Sequence, residues 1–153
     1  MSTDTPTLSG WRRLLLEWSD LPLRASLAAT FIYHGQGKLF GGLAQFTEGI
    51  EKMGLPMPGV LAFLAALAEF GGGVGLAFGF LTRLSALGIM AVMFVAITKV
   101  HWHDGFKGIE FQLALFAMAL CLFLRGAGPL SVDRILSGYW SRKRLQASAA
   151  KQQ

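Results

Sequence analysis

Residues 59–81 read GVLAFLAALAEFGGGVGLAFGFL, apolar on every side of any helix drawn through them and carrying one charge, Glu69. A helix of ~20 residues at ~1.5 Å rise covers a hydrocarbon core of ~30 Å, so the run is predicted to cross a bilayer once. A soluble helix would show a polar face and a barrel strand would alternate, and the run does neither. Working outward, residues 21–40, 84–100 and 109–124 are apolar runs of the same kind, the shorter two within the mismatch that bundles tolerate. Hydrophobic residues make up 53% of the 153 and charged residues 15%, a balance that excludes an ordinary soluble domain. The expectation is a single all-α domain over residues 1–153, a four-helix transmembrane bundle. A cleaved signal is disfavoured for the first run, although Arg12 and Arg13 precede it, because it ends in Tyr33, His34, Gln36 and Lys38 rather than in small residues.

The charges orient the bundle. Four crossings put both termini and the turn at Arg83 on one side, with Arg12, Arg13, Arg24, Arg83, Arg125, Arg134, Arg142, Lys143, Arg144 and Lys151. The other side holds only Lys38, Lys52, Lys99 and Lys107. Basic residues gather on the cytoplasmic side, so both termini are expected there, in the cell (inner) membrane of a bacterium or archaeon. The net charge of +5 then reads as orientation and headgroup contact, and no nucleic-acid partner is expected.

Three shorter segments have amphipathic spacing and are expected to lie at the interface. In 9–19, Trp11, Leu14, Leu15 and Trp18 form a stripe that leaves Arg12, Arg13 and Glu17 outside it. In 42–53, Leu43, Phe46, Ile50 and Met53 do so, ended by Gly54, Pro56 and Pro58, which suits a lid over the bundle. In 131–144, Ser131 is placed to cap a helix with Val132, Ile135, Leu136 and Tyr139 on one face and Arg142, Lys143 and Arg144 near anionic headgroups. Residues 146–153 are expected to fray. Gly71, Gly75 and Gly79 recur every four residues, a signal for close helix packing within the chain or in a homo-oligomer. The single Cys121 lies in an apolar run and reads as a core residue.

Glu69 lies near mid-bilayer, where even the lenient scale charges ~2.5–3.5 kcal/mol for an ionised group, so it demands partners. Topology offers His34 and Lys38 one turn apart in the first run, Thr98 and His101 at the end of the third, and Glu110 opening the fourth. Trp102 and His103 lie in the polar connection 101–108. These converge on the outer half of one bundle as a polar chamber. His101-x-His103 lacks further ligands, and a haem between His34 and His101 has no other support, so neither metal nor haem is expected.

At these same residues the sequence resembles the DoxX family of four-helix membrane proteins, from about Leu23 to Asp133. The resemblance rests on His34-Gly35-Gln36-Gly37-Lys38-Leu39-Phe40-Gly41, Gly54-x-Pro56-x-Pro58, Ala68-Glu69-Phe70-Gly71-Gly72, Thr82-Arg83, His101 with Gly105-Phe106, Glu110, and Gly126-x-Gly128-Pro129-Leu130-Ser131-x-Asp133. It implies membrane redox chemistry, since relatives are subunits of thiosulfate:quinone oxidoreductase, and it implies quinone as cofactor. It carries over His34, Lys38, Glu69, Arg83, His101 and Glu110. In the reading that follows, His34 or His101 hydrogen-bonds a quinone carbonyl and Glu69 or Glu110 exchanges the accompanying proton. Lys38, Thr98 and Trp102 contact substrate, Lys38 drawing an anionic donor such as thiosulfate, while Arg83, Gly71 and Gly75 are structural. The chain shows no redox centre of its own. It would work with protein subunits of a membrane redox complex, or instead stabilise a respiratory or photosynthetic complex without catalysis; a transporter is disfavoured because repeats and broken helices are missing.

Overall fold

The computed structural model describes residues 10, 11, 15, 18–128 and 130–150, so the expectations placed on Arg12, Arg13, Leu14, Glu17, Pro129 and Lys151 lie outside the described residues. All regular structure among them is helical. In chain order the elements are α1 (Asp20–Phe40), α2 (Leu43–Lys52), α3 (Pro58–Phe78), α4 (Thr82–Val95), α5 (Gly105–Arg125) and α6 (Val132–Ala150). Three helices are long and apolar enough to cross a membrane: Pro58–Phe78, Thr82–Val100 and Trp102–Arg125. Helix α1 has the length, 21 residues, but carries Asp20, Arg24 and Lys38.

Helix limits follow local chemistry. Pro58 opens α3, where its missing N–H is harmless, and Gly79 at φ 62° closes it three residues before the expected end. The Phe80 N–H bonds back to the Gly75 carbonyl at 2.8 Å, a Schellman-type stop. Leu81 also takes a left-handed backbone, φ 47°, and Asp133 holds it there. One Asp133 oxygen accepts the Leu81 N–H at 2.8 Å and the other the Thr82 N–H at 2.9 Å, capping α4 from across the bundle. Helix α4 runs on through a π turn, Ala96–Val100, and α5 begins at Gly105 rather than 109. Ser131 caps α6, its Oγ accepting the Arg134 N–H at 3.2 Å, and α6 continues to Ala150 where fraying was expected from 146.

The core gathers Leu27, Ala28 and Phe31 of α1, Leu76 of α3, Ala86, Ile89 and Met93 of α4, and Leu115, Ala119 and Leu122 of α5. Helices α1 and α3 are antiparallel and approach through glycine. A Cβ on Gly35 would strike the Phe70 backbone, and one on Gly73 would come within 2.8 Å of the Ile32 nitrogen. This corrects the expected glycine stripe: Gly71 is exposed and meets only Leu67 of its own helix, because Glu69, Gly73 and Leu76 face α1 and Gly72 faces Ser85 and Ile89 of α4. Gly75 does pack, against Ser85 and Phe80 across the α3–α4 turn.

The glycine contacts fix a register with consequences. Gly35 opposite Phe70 and Ile32 opposite Gly73 place Phe40, the last residue of α1, level with Ala65. Helix α1 therefore stops seven residues, about 10 Å, short of the start of α3. The amphipathic helix α2 folds into that space, its Ile50 buried and its Gln45, Glu48, Glu51 and Lys52 exposed.

Candidate functional site

A cavity of about 900 Å³ opens where α1 falls short. Its walls are Thr30, Phe31, His34 and Lys38 of α1, Leu61, Leu64, Ala65, Ala68 and Glu69 of α3, Gly88, Ala91, Val92, Met93 and Val95 of α4, and Phe111, Gln112 and Leu115 of α5. Phe46 and Ile50 of α2, with Met53, cover it at the spacing of one helix face. Leu64, Ala91 and Phe111 line it yet remain exposed, so it is open at the side of the bundle.

Glu69 is the deepest polar group, the twelfth residue of α3 and about 16 Å along it. It faces inward and is 1% exposed. Both of its oxygens are bound by the Lys38 ammonium, at 2.6 and 2.7 Å. Lys38 reaches Glu69 because α1 ends early: its Cα lies level with residue 67, and the side chain turns along the gap. The same nitrogen stands 4.5 Å from the centre of the Phe46 ring, so one ammonium touches α1, α3 and the covering helix α2.

His34 lines the cavity and sets its ring edge-on to Tyr33, centroids 5.6 Å apart. His101 follows the π turn directly and lines the opposite end of the sequence wall; its Nδ1 is 3.3 Å from Asp104. A π turn shifts the residues after it around the helix, which turns His101 inward where regular helix would aim it elsewhere. Glu69, Lys38, His34 and His101 thus share one chamber.

The other expected members do not join it. Glu110 is exposed and off the wall: with Leu115, Ala119 and Leu122 facing the core, its position on α5 points to the far side. The earlier start of α5 also moves it out of the first turn. Thr98 is engaged with its own helix, its hydroxyl donating to the Phe94 carbonyl at 2.8 Å, and is absent from the cavity wall. Trp102 is 61% exposed and does not line the cavity. Arg83, read as structural at the turn, is exposed, and its Nη2 donates to the Leu124 carbonyl at the end of α5, 3.4 Å away. His103 is exposed, and no group of three His, Cys, Asp or Glu among the described residues is placed to hold a metal ion. Cys121 is exposed on α5 instead of packed in the core.

Two features escaped the sequence reading. Gln112 lies on the cavity wall with its Oε1 buried and without a hydrogen-bond partner. At the other end of the bundle Arg24, 4% exposed, sends its guanidinium to four carbonyls: Leu76 at 2.9 Å, Ala77 at 3.1 Å, Ala127 at 2.9 Å and Leu130 at 2.7 Å. Beside it Asp20 pairs with Arg125 at 2.7 Å. This clamp ties the end of α3 to Ala127 and Leu130 before α6.

Comparison with known proteins agrees with the motifs that line these sites. The DoxX family pattern matches residues 19–102. The chain is 35% identical over 126 residues to the inner membrane protein YqjF of Escherichia coli (strain K12), an alignment spanning 78% of this chain and 93% of that protein. No solved structure matches it significantly. With over half its residues inside the family pattern and a relative aligned almost from end to end, the chain belongs to the DoxX family and is an integral membrane protein.

Proposed function

We propose that the protein is a quinone-linked redox subunit that binds the quinone ring in the chamber beside Glu69 and Lys38. One observation carries the reading: the chamber is apolar and its one buried charge pair is already neutral. A charged ligand entering there would lose its hydration and meet no net opposite charge. Lys38 spends its charge on Glu69, which argues against a direct role for it in attracting an anion such as thiosulfate. An uncharged ring with a few hydrogen-bonding oxygens and a long apolar tail suits the wall, the volume falls in the range of small-molecule sites, and the side opening would give the tail a way into the bilayer.

In this reading the quinone supplies the electron chemistry and the chain supplies position and protons. His34 or His101 donates a hydrogen bond to a ring oxygen, and Glu69 exchanges the proton that accompanies electron transfer, with Lys38 holding its carboxylate in place. Glu110 has no part. In this reading the electron donor is held by a partner subunit. A short-tailed benzoquinone titrated into the purified protein in lipid nanodiscs tests the reading: saturable binding of one molecule per chain supports it, and no binding refutes it.

The reading uses α1 as a fourth crossing, with both termini cytoplasmic in an inner membrane like that of the relative. The α1 charges support this because none is bare: Asp20 faces Arg125, Arg24 faces four carbonyls and Lys38 faces Glu69. The ten-to-four division of basic residues supports the orientation. In a Cys121→Ala background, Lys107→Cys should react with an impermeant maleimide from outside and Arg83→Cys only once the cytoplasmic side is opened. Labelling of Arg83→Cys from outside would reverse the orientation.

A further inference from the structure

We infer that α6 docks on anionic lipid, its uncovered apolar stripe entering the headgroup layer and its arginines holding lipid phosphate. The inference stands apart from the quinone reading and concerns the opposite end of the bundle.

Where α6 begins is fixed by its ties to the other helices. Arg24 holds Ala127 and Leu130, Asp133 caps α4 through the Leu81 and Thr82 N–H groups, and the Asp133 N–H donates to the Gly79 carbonyl at 3.0 Å. The first turn of α6 therefore sits level with the end of α3 and the start of α4, where the apolar spans give way to the exposed Arg83 and Arg125. That is headgroup level. Beyond this turn Ile135, Leu136, Tyr139 and Trp140 are all exposed, and so is the opposite face, so no described part of the chain covers either side. At ~100° per residue these four and Val132 fall within an arc of ~140°, which makes one bare apolar stripe.

Charge decides what the stripe docks on. Arg142 and Arg144 fall at the two edges of the arc, and Lys143 lies on it with a stem long enough to carry its ammonium outward. Asp133, the only acid in α6, is engaged on α4, and Asp20, the other described acid at this end, pairs with Arg125. The surface that covers α6 must bring apolar depth and negative charge together. An anionic phospholipid layer does: acyl chains take the stripe, phosphates meet the edge arginines in forked hydrogen bonds, and the Tyr139 and Trp140 rings, edge-to-face at 6.3 Å, sit at the boundary. Four basic residues keep α6 from crossing, so it lies along the surface. Each Lys or Arg near such a surface tightens association about fivefold, and three together on the order of a hundredfold.

The test puts a bimane fluorophore on single cysteines of the full chain, in a Cys121→Ala background with one chain per nanodisc. Leu136→Cys and Tyr139→Cys report the stripe; Ser137→Cys and Ser141→Cys report the other side. In phosphatidylglycerol discs the neutral quencher acrylamide should quench the first pair about fivefold less than the second. In phosphatidylcholine discs, and in the triple variant Arg142→Gln, Lys143→Gln, Arg144→Gln in either lipid, that ratio should fall to within about twofold. The three basic side chains are exposed, so the triple variant should keep the wild-type unfolding midpoint in detergent, which separates lost docking from lost fold. Equal quenching of all four sites in phosphatidylglycerol puts α6 in water and overturns the inference. A stripe that stays shielded in phosphatidylcholine or in the triple variant overturns the assignment to anionic lipid. Shielding only when two chains share a disc gives the stripe to a second copy and overturns it as well.

Discussion

Lys38→Met should destabilise the folded protein by about 3 kcal/mol, because it leaves the Glu69 carboxylate buried with no cation. Glu69 is 1% exposed, and among the described residues its hydrogen bonds come from that ammonium alone. Removing one member of a buried pair costs ~3–5 kcal/mol, and the lower end applies since the Lys38 side chain is 31% exposed and the pair is partly wet. The contact over Phe46 is lost as well, which loosens α2. The double substitution Lys38→Met with Glu69→Leu should return to within about 1 kcal/mol of wild type, since apolar replacement of both partners relieves the desolvation. Thermal unfolding in detergent checks the order. A single variant as stable as wild type would mean that Glu69 finds another partner.

Arg24→Met should cost about 4 kcal/mol. It strips charge-assisted donors from four carbonyls, two at the end of α3 and two in the segment before α6, each such bond being worth about 1.5–3 kcal/mol with some recovered by water. The damage should spread, since Leu130 lies three residues before Asp133, and Asp133 caps α4. Arg24→Lys should recover less than half, because an ammonium cannot reproduce the planar fork that reaches four acceptors. Hydrogen exchange at residues 126–133 gives an independent reading: it should accelerate in Arg24→Met. A loss below about 1 kcal/mol with unchanged exchange would contradict the clamp.

What the sequence made legible was the helical class and the one residue that could not be ignored. Glu69 stood out because an acid inside an apolar run carries a large transfer cost, and Lys38 followed as the nearest cation that topology could deliver. Arg24 carried the same warning, four residues into a run, but was read as orientation charge since it lies close to an expected interface. Its partners are backbone carbonyls, which leave no trace in side-chain patterns. Gln112 gave no warning because a neutral amide costs far less than a charge.

The errors have one geometric source. Glu110 was placed in the chamber by its nearness to a helix start, yet the buried spacing of Leu115, Ala119 and Leu122 already puts residue 112 inward and residue 110 outward. Gly71 failed in the same way, since Ala62, Ala66, Glu69 and Gly73 define the inner stripe of α3 and residue 71 lies off it. His101, by contrast, lines the chamber where it was expected, directly after a π turn that the sequence reading did not include. The shortfall of α1 against α3, which makes the chamber, depends on which glycine meets which backbone across two helices.

The claim that the chamber binds a quinone beside the Glu69–Lys38 pair is tested most directly by titrating the same short-tailed benzoquinone into wild type, Glu69→Gln and His101→Ala in nanodiscs. The account predicts about tenfold loss of affinity in His101→Ala, which removes a donor to a ring carbonyl, and a changed affinity in Glu69→Gln, which trades a carboxylate for an amide beside the ring, with the fold retained by circular dichroism. Equal affinity in all three would contradict it and place any quinone site outside this chamber.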